Sequence, residues 1–232
     1  MSLGGESVTE VKVHLPISER EVRKLKVGDI VYVSGIVHTM RDMGHRRVVE
    51  MIQRGEGLPF NLKNGAIWHC GPITRKVNEK WEIMAAGPTS SSRFTELGAI
   101  LVKELYVRLT IGKGTMSTPM INALKDVGGA YLVATGGCAA LYAKEVVSVE
   151  DVHWLDLGMP EATWVLRVEQ LGPMVVGIDS KGNALAQMVL DNVRNRIEKI
   201  FKEENIDSTR TYVWWPKKIA GSKELMESIT GS

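Results

Sequence analysis

Apolar residues recur along this chain in two rhythms, and each rhythm predicts a kind of element. Val11–Leu15 (VKVHL) alternates as a strand does, and SEREVRKL after it reads as a short polar turn or helix. Lys26-Val27-Gly28-Asp29 turns the chain into IVYVSGIVHTM (Ile30–Met40), whose β-branched residues make it the first strong strand. RDMGHRR (Arg41–Arg47) ends that strand, and Val48, Val49, Met51 and Ile52 predict a short helix stopping at Gly55. Ala66–Cys70 is a further strand, closed by the Gly71-Pro72 turn. Trp81–Arg93 (WEIMAAGPTSSSR) reads as a buried strand running through a Gly-Pro turn into a run of hydroxyls and an arginine. Phe94, Leu97, Ile100, Leu101 and Leu105 then fall at helical spacing.

The second half repeats the theme. Leu109–Met116 (LTIGKGTM) is a glycine-flanked loop around Lys113, and Ser117-Thr118-Pro119 opens a helix that Gly128-Gly129 ends. Ala130–Thr135 is a compact buried strand, and Gly136-Gly137 passes into a small-residue helix, CAALYAKEV. Thr163–Gln170 and Met174–Asp179 predict two strands. Ala184–Asn205 is a long helix with Leu185, Met188, Val189, Val193, Ile197 and Ile200 on one stripe. Strands that hand over to helices predict an α/β fold, a mixed, partly parallel sheet with helices packed on it. No internal repeat or low-complexity linker interrupts the pattern. The division expected is a disordered leader over 1–10, one domain over 11–206 and a tail over 207–232. The tail carries an aromatic patch, Tyr212–Lys218, expected to pack back on its own domain, with a partner-binding use left open.

Composition narrows the class. The chain has 232 residues, 44% hydrophobic and 24% charged, an ordinary balance for a globular protein with a real core. A net charge of +2 is too small to argue for nucleic acid. No apolar run approaches the roughly 20 residues of a membrane span, and MSLGGES does not read as a signal peptide. Cys70 and Cys138 are too few for a disulfide framework, so a cytoplasmic setting is expected, and Cys138 reads as a small core residue.

Candidate chemistry gathers in three loops at strand ends or helix starts: Arg41–His45, Gly87–Arg93 and Gly112–Met116. They offer Arg41, Arg93 and Lys113 as cations, with Thr89, Ser90 and Thr115 as hydroxyl donors. That set suits a small dianion such as a dicarboxylate better than a nucleotide, since GKGT lacks the upstream glycine spacing of a phosphate-binding loop. A helix N-terminus beside Arg93 would favour an anion. The competing reading, in which Ser92 caps the helix and Arg93 is solvated, stays open on these residues alone.

The motifs RDMGH, AAGPTSSSRF, IGKGTM, GGAYLVATGGCAAL, LGMPEATWVLRVE and VGIDSKGN resemble, in order, the β subunit of class I fumarate hydratases. The resemblance extends to the C-terminal domain of the single-chain forms and to the β subunit of L(+)-tartrate dehydratase, and it runs from Val11 to Asn205. It implies a swivelling β/β/α three-layer domain that closes half of an active site. An α subunit would supply the other half, three of its cysteines holding a [4Fe-4S] cluster whose open iron acts as a Lewis acid; this chain would bind no cluster alone. The activity implied is the reversible hydration of fumarate to (S)-malate. The alternatives are L(+)-tartrate dehydration and a non-catalytic binding module of the same fold. A homodimer or an α2β2 assembly would fit the family.

Carried across residue by residue, the resemblance makes Thr89 the proposed base and Arg93 the arginine that grips a substrate carboxylate. Ser90 stands where a second hydroxyl is found, Lys113 is the substrate lysine, and Arg41 is the arginine of the upstream arginine–aspartate pair. Asp42, His45 and Thr115 are candidates for support behind these contacts; for His45, a helix-start role and direct contact both stand. Met43-Gly44, Phe94 and Thr115 depart from common residues of the family without removing a proposed functional group.

Overall fold

Two apolar faces on one sheet organise the molecule. The computed structural model describes residues 8–206. Its elements run β1 (Glu10–His14), α1 (Glu19–Val22), β2 (Ile30–Thr39), α2 (Asp42–Gln53), β3 (Ala66–Trp68), β4 (Ile73–Val77), β5 (Lys80–Ala85), α3 (Thr95–Leu105) and β6 (Leu109–Gly112). There follow α4 (Thr118–Val127), β7 (Ala130–Ala134), α5 (Ala139–Lys144), β8 (Val146–His153), β9 (Thr163–Ile178) and α6 (Leu185–Glu203), with short 3-10 turns at Ser91–Phe94 and Leu155–Leu157.

Strands β1, β2, β3, β6 and β7 pair in parallel, in the order β1-β2-β3-β6-β7, and β9 joins antiparallel to β7 and β8. β9 also pairs antiparallel with β2, so the ladder β2-β3-β6-β7-β9 closes on itself and stacks one β layer over another. Side chains alternate across it. Ala66 and Trp68 of β3 and Leu132 of β7 point into a core between the β layers, with Val33, Trp164, Leu166 and Val176. Their neighbours Ile67 and Tyr131 point the other way, into a second core under α2, α3 and α4 with Val48, Phe94, Leu101 and Met120. The result is a mixed α/β fold in three layers, sheet on sheet on helices. All six of these helix and sheet anchors in the second core are buried.

Several expectations need correcting in detail. Trp81–Ala85 is the second strand of a hairpin, β4–β5, half-buried on the face of Trp81 and Ile83 and exposed on the other, and not a fully buried strand. Its two-residue turn places Asn78 and Glu79 at φ 48° and 63°, the twist-compatible geometry for such a loop. Leu109–Gly112 is a strand, buried throughout, where a loop was expected. The expected pair of strands at 163–179 is one continuous strand through Gly172-Pro173. β8, Val146–His153, was missed. Contacts divide the chain into two units, Met1–Val189 and Leu190–Ser232. In the second, the described residues continue α6, whose Leu190, Val193, Ile197 and Ile200 are exposed. Among the described residues no helix is long and apolar enough to cross a membrane. The aromatic patch Tyr212–Lys218 lies outside the described residues.

Candidate functional site

The parallel strands deliver the candidate loops to one rim. β3 ends at Trp68 and β6 at Gly112, and Pro88–Ser90 bridges their extensions before the chain enters the 3-10 turn. His69 N donates to Ile111 O at 2.7 Å, Thr89 N to His69 O at 2.7 Å, Lys113 N to Thr89 O at 3.3 Å, and Ser91 N to Lys113 O at 3.0 Å. Ser90 bridges Lys113 in parallel register. Thr89 and Lys113 are thus fixed to each other through the backbone, before any side chain acts. Gly112 is required where they meet: a Cβ there would lie 2.9 Å from His69 Nδ1 and closer still to Ser91 Oγ.

Charges on this rim are paired, with one exception. The Arg93 guanidinium donates to Thr89 Oγ1 at 3.1 Å, lies 3.2 Å from Asp42 Oδ2, and covers the Phe94 ring at 5.2 Å. Arg41 is the N-cap residue of α2, and its Nε lies 3.3 Å from Glu161 Oε1. Glu161 also accepts a 2.8 Å hydrogen bond from Met43 N through Oε2, so the start of α2 already holds a carboxylate of its own chain. Two cations meet two carboxylates. Lys113 forms no ion pair among the described residues, and its Nζ lies beside the Gly136-Gly137 loop that follows β7, 3.9 Å from where a Gly136 Cβ would stand. The rim therefore carries one uncompensated positive charge, next to the hydroxyl that Arg93 holds. No serine caps the 3-10 turn through its side chain, so the capping reading of Ser92 is not realised.

Beneath the rim lies a buried layer. His45 is wholly buried on α2; its Nδ1 lies 2.8 Å from Arg41 O, and its ring stacks on Phe94 at 4.7 Å. It lies under Arg41, behind the rim. His69, also wholly buried, has Nδ1 2.8 Å from Ser91 Oγ and packs against Phe94 and His45. Burial holds His45 at about 4 and His69 well below the usual imidazole range, with the His45 and Arg93 charges adding to the effect at His69. Both rings are neutral at ordinary pH.

The structure brings Asp42, Thr89, Ser90, Arg93 and Lys113 together, with Arg41 one residue from Asp42. Thr115 is exposed and borders a different, apolar cavity of about 220 Å³ with Met116, Tyr131 and Leu185. Sequence reasoning missed Glu161, His69 and Ser91. Only the run TSSSR hinted at Ser91, and nothing marked its middle serine as the buried one.

The described residues include no group of three or more His, Cys, Asp or Glu able to hold a metal. Cys70 is buried and burial pushes its thiol up, away from the thiolate that ligation needs. An iron–sulfur cluster does not fit these residues.

Comparison with known proteins shows the family. The family model described as Fumarase C-terminus matches residues 2–189. The chain is 41% identical over 185 residues to a Methanocaldococcus jannaschii protein provisionally named L(+)-tartrate dehydratase subunit beta, covering 79% of this chain and 95% of that one. It is 38% identical over 170 residues to the L(+)-tartrate dehydratase subunit beta of Escherichia coli (strain K12), covering 73% and 83%. It is 40% identical over 196 residues to a longer Geobacillus stearothermophilus protein provisionally named fumarate hydratase class I, covering 83% of this chain and 36% of that one. With a family model spanning most of its length, the chain belongs to the Fumarase C-terminus family.

Proposed function

We propose that this chain is the β subunit of a hydro-lyase acting on a four-carbon hydroxy-dicarboxylate, and that it supplies the carboxylate-binding and proton-transferring half of the site. The observation that carries the reading is Lys113, a cation with no ion pair among the described residues, fixed through its backbone to Thr89, whose hydroxyl is held by Arg93. Relatives named as hydro-lyases or their β subunits support the reaction class.

Each residue has a physical task. Lys113 attracts one substrate carboxylate, with Ser90 donating a hydroxyl beside it. Arg41, held by Glu161, faces the second carboxylate. Removing a proton from the carbon next to a carboxylate builds charge on that carboxylate, and a cation already aimed there lowers the barrier by roughly 3–4 kcal/mol. In dehydration Thr89 reacts as its alkoxide, takes that proton on Oγ1 and releases it to solvent before the next turnover; in the hydration direction its hydroxyl, protonated from solvent, gives the proton to the same carbon. A threonine oxygen is a poor site for negative charge in water. Here the Arg93 N–H at 3.1 Å stabilises it, and Asp42 keeps the guanidinium in place. Departure or entry of the hydroxyl belongs to the other half of the site, which we assign to an α subunit carrying a [4Fe-4S] cluster.

Fumarate hydration and L(+)-tartrate dehydration are supported equally, the first by the Geobacillus relative and the second by the other two. The test is anaerobic co-expression with the partner α subunit and turnover assays on fumarate, (S)-malate and L(+)-tartrate. The expected outcome is activity on one of these pairs for the assembly and none for the chain alone. Full activity of the isolated chain would overturn the two-subunit reading.

A further inference from the structure

Behind Thr89 and Lys113 a hydrogen-bonded circuit closes on two buried side chains that the proposed chemistry does not touch. From His69 the backbone links run to Thr89, then to Lys113, then to Ser91. The circuit returns to its start only through the 2.8 Å contact between Ser91 Oγ and His69 Nδ1. Ser91 and His69 are both wholly buried. One residue beyond Lys113, the Tyr131 phenol on β7 donates to Gly114 O at 3.2 Å.

The Tyr131 phenol spends its one proton on the Gly114 carbonyl. Ser91 Oγ and His69 Nδ1 share a single proton in the contact that closes the circuit. Ser91 N holds Lys113 O, and Tyr131 holds the following carbonyl. Gly112 makes room for the Ser91–His69 contact, as any Cβ there would strike both side chains.

We propose that His69 and Ser91, with Tyr131 holding the next carbonyl, form a buried clasp that positions Thr89 and Lys113 for proton transfer and carboxylate binding. The clasp rests on the hydro-lyase reading for its purpose and on hydrogen bonding alone for its existence. Its members touch no substrate; they act as positioning residues through the backbone of the rim. Misplacing a reacting group by about 1 Å costs on the order of 100-fold in rate. A clasp of this kind should therefore show in kcat more than in fold stability.

Two measurements test it. In the assembled two-subunit enzyme, Ser91→Ala and Tyr131→Phe should each lower kcat by about 10- to 100-fold with a smaller rise in KM. His69→Leu should behave like Ser91→Ala, whereas His69→Asn, whose amide can donate or accept where Nδ1 stood, should recover most of the rate. Separately, long-range nitrogen–proton NMR on the full chain should find His69 neutral from pH 5 to 8, with an Nδ1 shift that moves in Ser91→Ala. Wild-type kcat in Ser91→Ala, or a His69 Nδ1 shift indifferent to that substitution, would overturn the clasp. A wild-type assembly inactive on fumarate, malate and tartrate would overturn the hydro-lyase reading instead, while the NMR result would still decide whether the clasp exists.

Discussion

Ser90 and Ser92 face solvent while Ser91 between them is wholly buried, and that one-residue step separates two regions of opposite character. Above it the rim is charged and wet, with Asp42, Arg93 and Lys113 at least partly exposed. Below it His45, His69, Ser91 and Phe94 form a dry layer whose imidazoles are kept neutral. The difference shows how a mobile-looking set of surface charges acquires a fixed geometry. Rim charges attract the substrate, but exposed ion pairs are worth only about 0–1 kcal/mol and hold nothing firmly by themselves. Position comes from the layer beneath, where a hydrogen bond left unmade costs about 1–3 kcal/mol.

The largest effect should come from the rim. Lys113→Ala or Arg93→Ala in the assembled enzyme should cost roughly 3–4 kcal/mol of transition-state stabilisation, a loss of two to three orders of magnitude in kcat/KM. The melting temperature should hardly move, because both side chains are solvent-facing. Thr89→Val should abolish turnover on the same scale; retained activity would move the base to another group.

The dry layer should appear instead in acid stability. His45 is held at about 4 against an ordinary value of 6.5, so the unfolded chain binds its proton first as pH falls. Stability due to this imidazole is complete above about pH 6.5 and is lost progressively down to about pH 4, approaching roughly 3 kcal/mol. His38, also lowered to about 4, and His69 act in the same direction. Urea melts between pH 7 and 4 should show this fall, and His45→Phe should reduce it, leaving the share of His38 and His69.

A smaller effect belongs to the seam between the regions. Gly112→Ala forces a Cβ against Ser91 and His69 and should cost about 1–3 kcal/mol in stability, with turnover reduced alongside. Smallest of all, Asp42→Asn removes a half-exposed partner of Arg93 and should change stability by no more than about 1 kcal/mol. Its readout is a modest change in kcat, since Thr89 still receives the guanidinium.

The same contrast decides what was legible in the sequence. Arg41, Thr89, Arg93 and Lys113 stood out because charges and hydroxyls interrupted apolar rhythms at element ends. His69 did not, lying between Trp68 and Cys70 with nothing polar beside it; its partner Ser91 is 22 residues away. Glu161 pairs with Arg41 across the closed sheet, a contact no local pattern encodes. In the fold, β8 escaped because VVSVEDVH alternates poorly and its ladder with β9 shifts register twice. β9 was split at Gly172-Pro173, which punctuates most strands; here the strand runs through it, pairing with β2 on both sides, at Leu171 and Met174. Parallel strands, helix starts and the general α/β plan were readable because they rest on local periodicity.

The most direct test of the central claim is kcat/KM for wild type and Lys113→Ala in the anaerobically assembled two-subunit enzyme, measured with fumarate, (S)-malate and L(+)-tartrate. The account expects wild-type turnover on one of these and a loss of two to three orders of magnitude in the variant, with the assembly and its melting temperature intact. A Lys113→Ala enzyme that turns over its substrate like wild type would contradict it.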